Sequence, residues 1–188
     1  ISGNGKAVTY PNGILIGSPT TINNRVQGNL IGTLADGISP LGNFSHGIVF
    51  IGTAGSGNNI ENGNTIAFNG GSGVYADSGF ANRISGNSIH SNAVLGIDLV
   101  FPLGVNSNDA CDGDFGPNNL QNYPVLSAVT SDAASTMIQG TLNSSQSTTF
   151  TLEFFVNPAC DVSGNGEGKM FIGSTSVTTN PNCTVSFN

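Results

Sequence analysis

GNTIAFN at residues 63–69 and GNSIHSN at 86–92 are nearly the same phrase, set 23 residues apart. Aligned on their Gly-Asn pair, ISGN at 1–4, VQGN at 26–29, ENGN at 61–64 and ISGN at 84–87 give four phrases across the first half of the chain. A second phrase falls between these pairs: GILIG from residue 13, GIVFIG from 47, GVYAD from 73 and GIDLV from 96. Each is a short alternating apolar run opened by glycine, which is a strand signature without a helical period. A repeat in the range of roughly 20 to 50 residues marks a solenoid, and brief strands recurring at this interval mark a coil of parallel β-structure.

Successive coils of such a structure stack about 4.8 Å apart, so equivalent positions form columns. One residue after the glycines stand Ile14, Ile48, Val74 and Ile97; three residues after stand Ile16, Phe50, Ala76 and Leu99. Both columns are apolar and are expected to point inward. Between them, Leu15, Val49, Tyr75 and Asp98 form a mixed, outward column. Ile31, Ile66 and Ile89 make a third inward column, and Asn29, Asn64 and Asn87 are expected to stack beside it as an amide ladder. Glycine next to these asparagines supplies the positive φ of a turn. Lys6 falls in the inward column of an irregular first coil, and Glu61 falls where Val26 and Ile84 predict an apolar residue, so Ile60 is expected to take that place through a bulge. The insertion IGTLADGISPLGN at 31–43 reads as a projecting loop.

The phrases RVQGNLIGTLADGISPLGN, GNTIAFNGGSGVYADSG, RISGNSIHSNAVLGIDL and GPNNLQNYPVL, together spanning about residues 1 to 126, resemble right-handed parallel β-helix proteins of the pectin-lyase-like superfamily, of the bacterial surface and secreted type. The resemblance implies an all-β fold with a parallel β-helix of about four coils and an extracellular setting. It does not imply an activity, because fold and function are separable.

After residue 101 the repeat stops. Candidate strands follow at 124–130, 136–142, 148–157, 169–177 and 183–187, with Phe150, Leu152, Phe154 and Val156 alternating on one face. The stretch TLNSSQSTTFTLEFFVNPACDVSGNGEGKMFIGSTSVTT resembles an Ig-like domain. It is shorter than the roughly 100 residues and seven strands of a complete sandwich. The expected division is therefore a β-helix over 1–105, an Asp/Asn-rich linker over 106–123 and a truncated or partner-completed Ig-like sandwich over 124–188. With Ile1 as its first residue, the chain reads as part of something longer.

Composition limits the function. Four Lys and Arg against eleven Asp and Glu leave a net charge of −7, which disfavours nucleic acid and anionic lipid as partners. Charged residues are only 8% of the chain against about 25% in ordinary globular proteins, so amides and hydroxyls solvate the surface, as suits an extracellular protein. No apolar run is long enough for membrane insertion. The cysteines lack the spacing of a zinc or redox pair. A disulfide between Cys160 and Cys183, which lie in one apparent domain, is expected, with Cys111 left over.

Catalysis on this scaffold would need paired carboxylates, or a carboxylate-held Ca²⁺ with a nearby base. Asp36, Glu61, Asp77 and Asp98 do not recur in one column of adjacent coils. Arg25, Arg83, His46 and His90 read as surface or structural groups. The constellation with a chemical reading is Asp109, Asp112 and Asp114 with Asn118, whose hard oxygen ligands in a glycine-containing loop suit calcium. The expectation is a non-catalytic structural or adhesive module, self-associating through open β edges. The alternative is a carbohydrate-active module that binds or cleaves a glycan along a lateral face of the coils.

Overall fold

The computed structural model describes residues 1–7, 9, 11–52, 55–99 and 103–188. Its described part is nearly all β, and no helix in it is long and apolar enough to cross a membrane. Ten short strands come first: β1 (Ile14–Ile16), β2 (Arg25–Gln27), β3 (Leu30–Ile31), β4 (Ile48–Phe50), β5 (Asn59–Glu61), β6 (Thr65–Ala67), β7 (Val74–Ala76), β8 (Arg83–Ser85), β9 (Ser88–His90) and β10 (Ile97–Leu99). They pair in three parallel sheets, β1-β4-β7-β10, β2-β5-β8 and β3-β6-β9. The chain therefore revisits each sheet every third strand, a topology compatible with a β-helix.

The register is the one the columns require. Ile14, Ile48, Val74 and Ile97 are successive partners, as are Ile16, Phe50, Ala76 and Leu99. Ile31, Ile66 and Ile89 stack in β3, β6 and β9, and Val26, Ile60 and Ile84 in β2, β5 and β8. Apart from Ile97, which is exposed at the open end of its column although expected inward, these side chains meet in one apolar core, in which Ile31, Ile48, Ile60, Ile66 and Val74 are fully buried; Val49, expected outward, is buried as well. Each such aliphatic side chain contributes about 1.5 to 3 kcal/mol. Ile60 does point inward, but not by way of a bulge. Asn59, Ile60 and Glu61 run in straight register with Arg25, Val26 and Gln27, and the extra residue, Asn62, is absorbed after the strand in a turn at φ 56°. Lys6 is exposed, with its ammonium 5.7 Å from the centre of the Phe44 ring, and fills no inward position.

Glycine is needed where coils approach most closely. A Cβ on Gly13, Gly47 or Gly73 would lie 2.5, 2.6 or 2.7 Å from the carbonyl oxygen of the next glycine in the column. On Gly96, with no later coil stacked on it, the nearest atom would be 3.5 Å away.

Three asparagine ladders run along the coils. In the expected one, Asn29 Nδ2 donates to Asn64 Oδ1 (3.1 Å) and Asn64 Nδ2 to Asn87 Oδ1 (2.7 Å). A second links Asn4, Asn43, Asn69 and Asn92 at 2.8 to 2.9 Å, and a third links Asn24, Asn58 and Asn82 at 2.9 to 3.0 Å. At each step the oxygen also accepts the preceding asparagine's backbone N–H, as Asn64 does from Asn29. One side chain thereby satisfies main-chain groups left over where the strands turn.

The second half forms five strands: β11 (Val125–Ser131), β12 (Thr136–Asn143), β13 (Thr149–Val156), β14 (Met170–Thr178) and β15 (Thr184–Phe187). β11, β12 and β15 make an antiparallel sheet, and β13 pairs with β14. The chain divides into two compact units. One comprises Ile1–Val105, Gly116–Asn118 and Glu153–Gly173, and the other Asn106–Phe115, Asn119–Leu152 and Ser174–Asn188. The second unit is thus not the continuous span 124–188: Glu153–Gly173 packs with the coils. Its own buried apolar set is small, with Leu142, Leu152, Val177, Cys183 and Phe187.

The disulfide joins Cys111 to Cys183, while Cys160 is free and exposed. The expected pair, Cys160 with Cys183, is therefore corrected. Cys160 lies in the span that packs with the coils, whereas Cys111 and Cys183 both lie in the second unit, with Cα atoms 5.1 Å apart.

Candidate functional site

The acidic loop of the second unit brings Asp109, Asp112 and Asp114 together, each with a carboxylate oxygen within 4.8 Å of the others'. The sequence folds this way because the loop is tied at several points. Cys111 and Asp112 adopt left-handed turns, and Cys111 is held by the disulfide and by its N–H donating to Asn143 Oδ1. Asn122, buried and unmarked in the sequence reading, organises the rest. Its Oδ1 accepts the Asp109 N–H, its Nδ2 donates to the carbonyls of Asp109 and Asn143, and its N–H donates to Asp112 Oδ1.

The carboxylates differ in what is left to them. Asp112 accepts from the Asn122 N–H and from the Ser144 hydroxyl at 2.8 Å each. Asp109 Oδ2 accepts the Gly113 N–H. Asp109 Oδ1 and Asp114 Oδ1 are enclosed and have no hydrogen-bond partner. Burial, and then the charges of Asp109 and Asp112, push the Asp114 carboxyl above the ordinary carboxylate range. Every Lys and Arg of the chain belongs to the other unit. Two enclosed acceptors beside a third carboxylate, without a cationic side chain in the unit, fit a hard divalent cation, which calcium would supply.

Asn118 does not belong to this set. Its Oδ1 accepts the Asn82 N–H and its Nδ2 donates to the Asn82 carbonyl, so its amide extends an asparagine ladder in the first unit. It sits in a short 3-10 turn over Pro117–Leu120.

On the outward column of β4, β7 and β10, the ring of His46 stacks on Tyr75 with centroids 4.7 Å apart. His46 Nδ1 accepts the backbone N–H of Ser72, which fixes that nitrogen as unprotonated. Burial holds the ring's pKa below its ordinary value. The Ser72 hydroxyl donates to Asp98 Oδ2, and the Gly104 N–H also donates to this carboxylate. Asp98, an outward residue by its column, is 1% exposed, and burial pushes its carboxyl up. Ser72, His46 and Asp98 are neighbours without the relay of a hydrolase: the serine hydroxyl donates to the carboxylate, and the imidazole accepts from the main chain. Asp77 Oδ1 accepts the Gly52 N–H, and Glu61 pairs with Arg25. Arg83 donates to the Ser85 hydroxyl, and His90 packs edge-on to Phe68 with Nδ1 against the Ser91 hydroxyl. Asp36 caps its own loop, accepting from Ile38 and Ser39. A groove of about 710 Å³ lies on the first unit, with Phe44, His46, Phe68, Val94 and Leu103 among its walls.

The two further ladders also carry a signal in the sequence. Asn43, Asn69 and Asn92 each stand four residues before a column glycine, and Asn24, Asn58 and Asn82 each stand just before the first residue of a strand in the β2-β5-β8 sheet. Compared with known proteins, the chain matches no family model, no curated protein and no solved structure.

Proposed function

We propose that this chain is a non-catalytic structural or adhesive module of the cell exterior, a right-handed parallel β-helix of the pectin-lyase-like kind joined to an Ig-like sandwich. The observation that carries this reading is where the polar groups go. The coil's amides are spent on ladders, and its His, Ser and Asp side chains are spent on one another and on the main chain. The disulfide in the second unit suits an oxidising compartment.

Calcium at Asp109, Asp112 and Asp114 would brace the acidic loop. A cation that binds only the folded state adds about 2.7 kcal/mol at a hundredfold excess over Kd. Thermal unfolding should therefore move up by several degrees with Ca²⁺ and return with EGTA, and Asp109→Asn with Asp114→Asn should abolish the response. A midpoint indifferent to both reagents removes the metal.

Self-association would use β11, whose seven residues, VLSAVTS, carry no charge and are all exposed at the edge of its sheet. Sedimentation across a concentration series, with Val129→Lys as the blocked control, tests this. An alternative reading, glycan binding or cleavage, is favoured by the groove beside Phe44, Phe68 and His46. Specific hits on a glycan array would replace the structural reading with this one.

A further inference from the structure

The last coil ends differently from every coil before it. Within each ladder the amide nitrogen donates forward along the chain and the amide oxygen accepts from behind, so one asparagine can always be followed by another. Where the next asparagine would stand, three other arrangements appear. In the ladder of Asn4, Asn43 and Asn69, Asn92 is followed by Glu167, whose carboxylate accepts from Asn92 Nδ2 at 3.0 Å and from its N–H at 3.2 Å. An ionised carboxylate has no hydrogen to pass on. In the ladder of Asn24, Asn58 and Asn82, Asn118 spends both its side-chain donor and its acceptor on Asn82 alone. In the ladder of Asn29 and Asn64, Asn87 Nδ2 turns to the carbonyls of Ile60 and Ser85, while Glu153 accepts the Ser85 hydroxyl and the Gly86 N–H.

The main-chain edge of β9 is closed as well. Ile89 in β9 exchanges both of its free backbone bonds with Gly168, at 2.8 Å each, and the Ser88 hydroxyl donates to the Lys169 carbonyl. This bridge is antiparallel, whereas all the pairings between coils are parallel. It therefore occupies the edge without offering a template for another parallel strand. All of these groups belong to one compact unit.

We propose that Glu153–Gly173, with Asn118, is a built-in stop that prevents another chain from adding a coil onto β8 and β9, and that Glu167 is the residue that makes its ladder terminal. An exposed row of unpaired N–H and C=O groups is a template for pairing with another chain. Here that template is consumed in cis by two glutamates, an inverted asparagine and one antiparallel bridge. The inference depends neither on the metal nor on the adhesive reading, and it assigns any self-association to a different edge from this one.

The test uses the full chain with β11 silenced by Val129→Lys, so that association through that strand cannot be mistaken for association through the coil. In this parent, the amides of Gly86, Ile89 and Asn92 should resist hydrogen exchange as strongly as that of Asn64 one coil back. Adding Glu153→Ala and Glu167→Ala should raise exchange at Gly86 and Asn92 roughly tenfold or more, the loss of one net hydrogen bond. The mass measured by light scattering should then grow with concentration. Should the double variant fail to fold, Glu167→Ala alone is read at Asn92 and in mass. Open exchange at these amides in the parent, unchanged exchange in the variants, or faster exchange without association would each overturn the stop.

Discussion

Asn62 and Asp98 show how much a single residue can change its assignment once neighbours are present. Asn62 is one residue too many for the repeat, and a left-handed turn removes it without disturbing register, since asparagine tolerates positive φ better than most residues. Asp98 occupies an outward column, yet Ser72 and Gly104 cover it. Its carboxyl is held above the ordinary range, so the stability it lends is present below about pH 3.8 and is lost as the pH rises through the folded-state value. His46 has the opposite sign. Burial depresses its pKa below 6.5, so its contribution is present above pH 6.5 and is lost as the pH falls through the folded-state value. Protonation there also turns the Nδ1 acceptor of the Ser72 N–H into a donor. Urea unfolding from pH 8 down to pH 5 should show His46→Phe less stable than the parent by about 1 kcal/mol at pH 8, with the gap closing at the acid end. A gap independent of pH would show that the ring only packs.

At the scale of elements, strands of two or three residues hold together because each is one layer of a stack. Two features make the layers identical enough to pile: an inward aliphatic residue at each strand and a glycine where the chain passes under the next coil. The glycine requirement depends on position. Gly73→Ala would place a Cβ 2.5 Å from Ile89 Cγ2 and 2.7 Å from the Gly96 carbonyl oxygen, and should cost about 1 to 3 kcal/mol. Gly96→Ala meets nothing closer than 3.5 Å and should fall within about 0.5 kcal/mol of the parent. Denaturant unfolding of the two variants side by side checks the difference. Equal losses would mean that coil spacing does not set the glycine column. β13 shows the limit of element-level reading. Its alternation holds through Leu152, but Glu153 leaves the pattern because its carboxylate serves Ser85 and Gly86, far earlier in the chain.

At the scale of the whole molecule, the two units are stabilised by different means. The first has a continuous aliphatic core threaded by amide ladders. The second has few buried apolar residues and relies on a disulfide that spans 72 residues. Loop-closure entropy for a span of that length is worth about 4 kcal/mol. Replacing Cys111 and Cys183 by serine should therefore lower the thermal midpoint of the second unit strongly, read by near-ultraviolet circular dichroism, while Cys160→Ser leaves it unchanged. Equal effects from all three cysteines would contradict the pairing.

The sequence by itself determined the columns. Glycine, asparagine and aliphatic residues recur in the same order in each coil, at intervals that lengthen where a loop is inserted, and in stacked strands that order decides which residue lies over which, so the register, most inward positions and the Asn29 ladder were legible, whereas the burial of Val49 and the exposure of Ile97 were not. The clustering of the Asp109, Asp112 and Asp114 carboxylates was also legible, because these residues are adjacent in the chain. Only the tertiary structure decided how things end. The partner of Cys183, the role of Asn118, the burial of Asp98 and the glutamates that close the last coil all depend on where distant segments return. No local period encodes that, since it follows from which returning segment can satisfy the polar groups the repeat leaves open.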